Sequence, residues 1–470
     1  MDHPTYAAPR PVSPAGPHDR LAVALANASF LGVGYLMLRR RKLAVATGLV
    51  TLVLVTLLAS VAQSVWFEVV VLLWWAALIA HGWLLAGERV PQAAMRRQRL
   101  IALSVTVPVL LVVGLLRFDA SRIEGSVTEA RQKGDCPRVS KAQDEVWLGH
   151  RVVAAPPTAH GDQTVRACKR LRTADSSLTT GLTGDAAALK AGFDTLASVL
   201  AEPGHKRMVE VTLNRFLGGL PGKNPCHTAA VTDWLRQRPA SHNALDRSAD
   251  VAARTAPAAL VGCGDELMAT EQQEGARTRY QQLLDQYPSD GLAAKARTGV
   301  REATLAIELA NVRSLLEDSD GTQPEYCSSP AKYSGAAPYG KGTNRALFYG
   351  NDKYTNKLPA RWRTTDPAKA VLVVCADDRE YGARVQTCLY TNKYVRSPKP
   401  VTFRKIAIPV KVYELRTGKR VVDTKVQIDG TSCPSVLHYT AYVDRTPPSK
   451  VYVTASDADV RAAFSSLIIR

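Results

Sequence analysis

Residues 100–116, LIALSVTVPVLLVVGLL, form the last of four apolar runs and divide this 470-residue chain into two very different halves. The three earlier runs cover residues 21–38, 43–63 and 64–86. Each run is close to the roughly 17–25 residues that a helix needs to cross the hydrocarbon core of a bilayer. The sequence therefore predicts four transmembrane helices over residues 21–117. The Pro-rich residues 1–20 before them are expected to be a disordered tail.

All eight cysteines of the chain follow this last apolar run. An even set of cysteines confined to one long soluble portion is typical of disulfides formed in an oxidising compartment. The local pairings would be Cys136–Cys168, Cys226–Cys263, Cys375–Cys388 and Cys327–Cys433. The third of these pairs rests on two predicted strands that we expect to be antiparallel neighbours, and the fourth joins the two cysteines that remain in the same region.

The basic residues of the short loops predict the orientation in the membrane. Four of them occupy positions 39–42, another four lie between the third and fourth runs, and none lies between the second and third. Because basic loops stay in the cytoplasm, we expect the N-terminus and everything after residue 117 to be extracytoplasmic, in a multi-pass protein of the cell membrane. If residues 21–38 only dip into the bilayer, three crossings remain and the fourth run still exits outward.

Residues 118–320 are rich in Ala, Leu, Arg and Glu and read as a helical domain. Apolar residues recur with the period of a helix over 186–200, 208–217 and 292–316. A helix pair broken near Thr270 is expected over 258–284. The composition then changes to Tyr, Val, Thr and Lys, and residues 318–324 have the turn chemistry of a linker.

The helix pair contains the most specific motif of the chain. Six residues carry it: Leu260, Gly264, Leu267, Ala276, Tyr280 and Pro288. In identity and spacing, residues 257–290 resemble one tetratricopeptide repeat, a 34-residue helical hairpin. Leu260 stands where the family usually has an aromatic residue, and no second copy is in register upstream. The resemblance implies a protein-binding surface, and the alternative is a helical hairpin within a bundle. Since a single repeat cannot bury its own faces, neighbouring helices must cover it.

Residues 325–470 predict a small α+β domain that is mainly antiparallel β. Strands are expected at 370–376 and 384–390, which would pair with each other. Residues 406–415 and 421–428 would form a hairpin, and 450–454 would form the last strand. Ser456 would be the N-cap of a closing helix over 456–467, with acidic residues in its first turn.

The charge of the chain is concentrated in this last domain. The whole chain carries +18, and residues 325–470 contain 24 Lys and Arg against 12 Asp and Glu, together with 12 of the 16 tyrosines. Inside a cell, basic and aromatic residues together indicate nucleic acid. Outside a cell, an anionic lipid or an acidic wall polymer is the nearer partner. An Ala- and Arg-rich composition is typical of bacteria of high genomic GC content.

No motif for a cofactor or a metal is complete. Residues 218–224 resemble a phosphate-binding loop, but Leu217 stands where the first Gly is needed and Asn224 replaces Ser or Thr. Cys226 and His227 lack the paired spacing of a zinc site. We therefore expect no catalytic, cofactor-binding or metal-binding residues in the leading interpretation of the chain.

One acidic cluster offers an alternative. Asp377, Asp378 and Glu380 follow a predicted strand, where acid–base chemistry or cation binding is possible. The leading hypothesis is a non-enzymatic, membrane-anchored protein of the cell envelope that presents a binding or scaffolding domain outside the cytoplasm. The alternatives are an envelope enzyme that uses the acidic cluster, and a cytoplasmic nucleic-acid binder of reversed topology.

Overall fold

A computed structural model of the chain describes residues 18–60, 64–87, 92–317, 323–391, 397–440 and 446–470. Most of the expected disordered tail and most of the expected linker lie outside these residues. The described chain is mostly helical, with one mixed sheet near the C-terminus. It divides into two units, Met1–Ala256 and Pro257–Arg470, and the boundary falls within a helix.

The first unit is helical throughout. Its helices are α1 Arg20–Asn27, α2 Val33–Met37, α3 Arg41–Ser60, α4 Val65–Leu85, α5 Gln92–Lys133, α6 Cys136–Asp144, α7 Leu148–Val153, α8 Ala155–Gly181, α9 Ala186–Leu200, α10 Lys206–Gly218 and α11 Pro225–Gln237. The next helix, α12 Arg247–Ala269, contains the unit boundary. The helices predicted over 186–200 and 208–217 are confirmed as α9 and α10.

Three helices of the first unit are long and apolar enough to cross a membrane: α3, α4 and α5. Most of their apolar side chains face outward rather than into the protein, as expected of helices surrounded by lipid. The fourth helix expected from the sequence is not confirmed. Residues 21–38 form the two short helices α1 and α2, because the chain turns between them through Phe30 and Gly32, whose φ angles are +62° and +61°.

The helices that follow the membrane region share one core. Leu189, Phe193 and Leu196 lie on the buried face of α9, and Leu213 and Phe216 on that of α10. Phe193 and Phe216 meet edge to face, with ring centroids 5.8 Å apart, a favourable geometry for an aromatic pair. This core continues into the last turns of α5, so the same helix carries the apolar run and part of the core of the helices that follow it.

The second unit begins with a helical hairpin. Helix α12 ends at Ala269, α13 covers Gln273–Gln286 and α14 covers Ala293–Leu316, so the break predicted near Thr270 is confirmed. Val312 and Leu316 of α14 belong to the same buried cluster as Val373 and Tyr413 of the sheet. The hairpin and the sheet therefore share a core, which continues across the composition change near residue 320.

The sheet is built around one long strand. Its strands are β1 Ala346–Tyr349, β2 Leu372–Ala376, β3 Glu380–Tyr390, β4 Lys399–Glu414, β5 Lys419–Ile428 and β6 Lys450–Tyr452. β2 and β3 pair along one edge of β4, and β5 and β6 pair along the other. The β1–β2 and β4–β6 pairs are parallel and the others are antiparallel. Two helices accompany the sheet, α15 Asp352–Thr355 and α16 Asp457–Ile468.

Two local predictions for this region are confirmed and one pairing is wrong. β4 and β5 form the predicted hairpin. Ser456 is the N-cap of α16, and its hydroxyl accepts a hydrogen bond from the Asp459 amide at 3.3 Å. The pairing expected between 370–376 and 384–390 does not form, because β2 and β3 lie end to end along the same edge of β4 and each pairs with β4 instead.

The disulfide pattern is corrected for the same reason. All eight cysteines are disulfide-bonded, and the expected Cys136–Cys168 bridge joins α6 to α8. In the sheet, however, the bridges are Cys327–Cys375 and Cys388–Cys433. Cys375 lies on β2 and Cys388 on β3, which follow each other along one edge of β4, where Cys375 is opposite Lys411 and Cys388 is opposite Val401. The two cysteines therefore cannot form the predicted bridge across neighbouring strands.

Candidate functional site: a basic cleft among α5, α8 and the α9–α10 turn

The end of α5, one side of α8 and the turn between α9 and α10 enclose a cleft of about 950 Å³. The side chains that line it are those of Arg131, His160, Gln163, Thr164, Arg166, Lys169, Arg170, Glu202, Pro203 and His205. Four of these are cationic and one is a carboxylate. We call this surface the basic cleft.

Helix α8 supplies most of the charge through a single stripe. His160, Gln163, Arg166 and Arg170 recur every three or four residues, so they project from the same side of the helix. The opposite side of α8 is buried in the helical core, where Cys168 is bridged to α6. The disulfide thus helps to fix the helix that carries the basic stripe.

The α9–α10 turn approaches α5 through a glycine. Gly204 has a φ of +85°, and a Cβ atom there would lie only 3.2 Å from Nη1 of Arg131. Both the left-handed backbone and the close approach favour glycine at this position. The absence of a side chain lets the guanidinium of Arg131 lie against the turn, beside the residues that close the cleft.

His205 is the most unusual group in the cleft. The residue is only 4% exposed, yet within the described part of the chain neither ring nitrogen makes a hydrogen bond of normal geometry, although the backbone carbonyl of Glu202 is close enough to favour the protonated ring. The nearest carboxylate oxygen, Oε2 of Glu202, lies 3.6 Å from Nδ1, beyond hydrogen-bonding distance. Burial lowers the pKa of His205, and the charges of Arg131 and Arg170 lower it further, while Glu202 opposes them. The imidazole is therefore neutral at pH 7, with one donor and one acceptor nitrogen.

The cations of the cleft are only partly neutralised. Arg170 forms an ion pair with Glu202, but its buried Nε finds no hydrogen-bond partner among the residues that the structure describes. Across the described chain, no carboxylate lies within ion-pair distance of Arg131, Arg166 or Lys169. Buried polar groups are nearly always hydrogen-bonded, so open donors beside excess positive charge favour an anionic ligand.

The residues of the predicted repeat pack around one tyrosine. Tyr280 lies between Gly264 of α12 and Gly299 of α14, where an added Cβ would be 2.5 Å and 2.6 Å from its ring. Its hydroxyl donates a hydrogen bond to Asp265 at 2.7 Å, and Lys295 pairs with the other oxygen of that carboxylate. Burial and this negative partner raise the pKa of Tyr280.

The other residues of the predicted repeat either pack inside the helical hairpin or lie at the end of one of its helices. Leu260 and Ala276 are fully buried, Leu267 packs beside Gly275 of α13, and Pro288 lies just beyond the end of α13. The arrangement is a tightly packed hairpin closed by α14. Gly299 is a packing residue that the sequence motif did not include.

The acidic cluster is only partly brought together. Asp377 and Asp378 line a cleft of about 540 Å³ at the carboxyl ends of the parallel strands β1 and β2. Asp377 accepts a hydrogen bond from Gln323 at 3.0 Å, whereas Glu380 pairs with Lys425 instead. Among the described residues, no three His, Cys, Asp or Glu side chains are placed to hold a metal ion.

The loop that resembled a phosphate-binding motif has a structural role. Asn224 is the N-cap of α11, and its side-chain oxygen accepts a hydrogen bond from the His227 amide at 2.8 Å. The neighbouring Cys226 is disulfide-bonded. A cysteine in a disulfide has no thiolate to offer a metal, which argues against the pair of Cys226 and His227 as zinc ligands.

Sequence reasoning missed the basic cleft. The polar stripe of α8 could have been found, because it has the period of a helix and lies within eleven residues of sequence. Arg131 and His205 are contributed by two other segments of the chain, and no local pattern connects them to α8. No known protein family, curated protein or solved structure matches the chain, so the function proposed below rests on the residues and contacts described above.

Proposed function

We propose that this chain is a membrane-anchored binding protein of the bacterial cell envelope, and that its basic cleft takes an anionic ligand outside the cytoplasm. The observation that carries the proposal is His205, which is buried without a hydrogen bond of normal geometry in a cleft where, among the described residues, three cations have no carboxylate within ion-pair distance. A phosphate or carboxylate group would supply both the missing hydrogen-bond partner and the opposing charge.

The extracytoplasmic placement rests on two independent features. Every cysteine is oxidised, which fits a compartment that permits disulfides. The basic segment at the start of α3 and the one before the apolar part of α5 would stay in the cytoplasm, and α5 then carries the chain outward. Three crossings are enough for this arrangement, since α3, α4 and α5 alternate in direction.

The position of the cleft along α5 favours a soluble anion or an acidic polymer over a lipid headgroup. Arg131 follows Arg117, at the end of the apolar run, by fourteen residues, which is about 21 Å along a helix. The headgroup layer adds only about 5–7 Å to each side of the hydrocarbon core. The cleft would therefore lie beyond the headgroups, where an anionic wall component can reach it.

Ligand binding can be tested with the full chain in nanodiscs of phosphatidylcholine, which present no anionic headgroup. Inorganic phosphate, linear polyphosphate and a polycarboxylate would be titrated by calorimetry. Arg166→Gln should weaken binding by about tenfold to a hundredfold, because a charge-assisted hydrogen bond contributes about 1.5–3 kcal/mol. Arg172→Gln is the matched control, since Arg172 is exposed on α8 but does not line the cleft. If none of the three probes binds, or both variants weaken binding equally, the proposal fails.

A second candidate function is protein binding through the repeat-like hairpin. It is favoured by a shallow groove of about 410 Å³ along α13 and α14, lined by polar side chains such as Arg277, Gln281 and Asp285. The resemblance to a tetratricopeptide repeat supports a peptide or protein as the occupant. A photo-crosslinker at Gln281 should then capture one discrete protein in cells, and the same group at Thr304, outside the groove, should not.

A further inference from the structure

The first apolar run folds back on itself. A Cβ atom on Gly34 of α2 would lie 2.4 Å from Oδ1 of Asn27 and 2.5 Å from the carbonyl oxygen of Val23, both on α1, so the two helices are in close contact. They contain eight and five residues, or about 12 Å and 8 Å of helix. Neither helix approaches the roughly 30 Å of the hydrocarbon core.

The first end of this hairpin lies at the junction of α4 and α5. The carboxylate of Asp19 accepts a hydrogen bond from Nε of Arg99 at 2.6 Å, and the Asp19 amide donates to Gln98 at 2.9 Å. Nε of Arg20 donates to the carbonyl of Ala86 at 3.2 Å. These contacts tie the start of α1 to the C-terminal end of α4 and to the basic segment of α5.

The second end of the hairpin, at Leu38, lies beside the same end of α4 as the first end. Leu38 packs in one cluster with Leu85, the last residue of α4. The hydroxyl of Tyr35 is 2.8 Å from Nδ1 of His81, one turn earlier on α4. Immediately after Leu38 come the four basic residues at 39–42. Both ends of the hairpin therefore adjoin the basic side of the membrane helices.

The tip of the hairpin reaches a depth of about half the hydrocarbon core. Nε1 of Trp75 donates to the carbonyl of Ala28 at 3.0 Å, and its ring stacks on Phe30 with centroids 5.9 Å apart. Trp75 precedes Leu85 by ten residues, which is about 15 Å along the helix. That distance is half of the roughly 30 Å hydrocarbon core.

The turn is stabilised by hydrogen bonds that lipid cannot supply. Thr106 of α5 donates to the carbonyl of Leu25 at 2.6 Å, and Ser29 donates to that of Ala26 at 2.7 Å. Nδ2 of Asn27 donates to the carbonyl of Leu78 at 3.1 Å. Non-helical backbone is tolerated at membrane depth only where protein covers it, and α4 and α5 provide that cover.

We propose that Asp19 to Leu38 form a re-entrant hairpin, which enters one leaflet from the side of the basic loops, turns near the middle of the bilayer and returns to the same side. Its partner is the acyl chains of that leaflet, which its exposed residues Leu21, Leu31 and Leu36 contact. The chain then crosses the membrane three times. The N-terminal tail lies with the basic loops, opposite to the side expected from the sequence, and the side of the large C-terminal region is unchanged.

The test is the accessibility of single cysteines in the full chain in intact cells. The native cysteines are all disulfide-bonded, so without reductant an introduced thiol is the sole target of a membrane-impermeant maleimide. Ser13→Cys reports on the tail, Arg97→Cys on the basic segment of α5 before its apolar part, and Trp66→Cys on the first turn of α4, next to the connection from α3. Arg97 and Trp66 are both exposed in the structure.

The hairpin predicts that Ser13→Cys behaves as Arg97→Cys does and opposite to Trp66→Cys. Trp66→Cys should be labelled on intact cells, and the other two only after permeabilisation. Labelling of Ser13→Cys together with Trp66→Cys would mean that residues 19–38 cross the bilayer, and the proposal would be overturned. Equal labelling of Arg97→Cys and Trp66→Cys would overturn it as well, because α4 would then not separate two sides. None of these outcomes depends on ligand binding by the basic cleft.

Discussion

His205 shows how one side chain can reveal the chemistry that its surroundings require. A buried imidazole without a hydrogen-bond partner is costly, and the guanidinium groups of Arg131 and Arg170 oppose its protonation. Without a ligand, its pKa is lowered below the ordinary value of 6.5, mainly by burial. The unfolded chain therefore binds more protons than the folded chain as the pH falls below 6.5, and the folded state loses stability over that range.

A bound anion should reverse this effect. Its negative charge stabilises the imidazolium and offsets the cations of Arg131 and Arg170, so the pKa of His205 rises on binding. Anion binding should then take up protons, and the affinity should increase as the pH is lowered from 7.5 to about 6. Calorimetry in buffers of different ionisation enthalpy measures the proton uptake directly.

Two matched variants test whether His205, rather than another histidine, takes up the proton. His205→Gln should abolish the proton uptake, whereas His227→Gln, at an exposed position on α11, should leave it unchanged. Proton uptake that is absent in the native protein, or that persists in His205→Gln, would show that this imidazole does not sense the ligand. The charged groups that face His205 are Glu202 beside it and the cations of α5 and α8, so the sign of the effect depends on the anion overcoming those cations.

At the scale of helices, glycines determine how closely neighbouring elements approach. The ring of Tyr280 is held between Gly264 and Gly299, so it cannot move away from a methyl group added on either side. Gly264→Ala should destabilise the hairpin by about 1–3 kcal/mol through overpacking, even though alanine favours the helix by about 0.5–1 kcal/mol. Faster hydrogen exchange in α12 and α13 would measure the loss.

Gly291→Ala is the control for that substitution. No heavy atom lies within 4 Å of a Cβ built there, so exchange in α12 and α13 should stay at the native rate. If Gly264→Ala were as protected as the native protein, the packing of Tyr280 would be looser than the structure shows.

The re-entrant hairpin depends on glycine in the same way. At Gly34 an added methyl group would meet the backbone carbonyl of Val23 at 2.5 Å, and a backbone atom cannot rotate away as a side chain can. Gly34→Ala should therefore lower the melting temperature of the detergent-solubilised protein by several degrees. Gly48→Ala on α3 meets no atom within 4 Å and should leave the melting temperature unchanged. If Gly34→Ala melted at the same temperature as the native protein, the close contact of α1 and α2 would be contradicted.

Elements with local signals could be predicted and those that depend on distant partners could not. Helix α9 has its predicted bounds because its apolar period and the N-cap Asp185 both lie within the segment. The neighbour of β3 could not be predicted, since β3 pairs with the long strand β4 end to end with β2, and no local pattern shows which strand lies beside it. Hydropathy also could not show the turn at Phe30, because that turn is held by contacts with Trp75 of α4.

At the scale of the whole molecule, the cysteines begin only after the last apolar run has ended. No cysteine precedes Cys136, and every cysteine from there onward is bonded. The sequence could indicate this division, because it depends on composition alone. It could not give the connectivity of the second unit, because the distance between two cysteines depends on the strand order.

The connectivity can be tested on the intact chain. Peptide mapping without reduction should yield linked peptides that contain Cys327 with Cys375 and Cys388 with Cys433, whose sequence separations are 48 and 45 residues. In the loop-entropy description, closing a loop of this length contributes about 4 kcal/mol. Replacing both Cys327 and Cys375 by serine should therefore destabilise the sheet by up to about 4 kcal/mol, measured as faster hydrogen exchange in β2 and β4.

The matched control replaces Cys136 and Cys168, which bridge α6 and α8 in the first unit. Because the two units have separate cores, this change should speed exchange in α6 and α8 and leave β2 and β4 protected. A peptide that links Cys375 to Cys388 would instead require β2 and β3 to lie side by side, and the pairing of both strands with one edge of β4 would then be wrong. The mapping thus tests the strand order of the second unit through its covalent bonds.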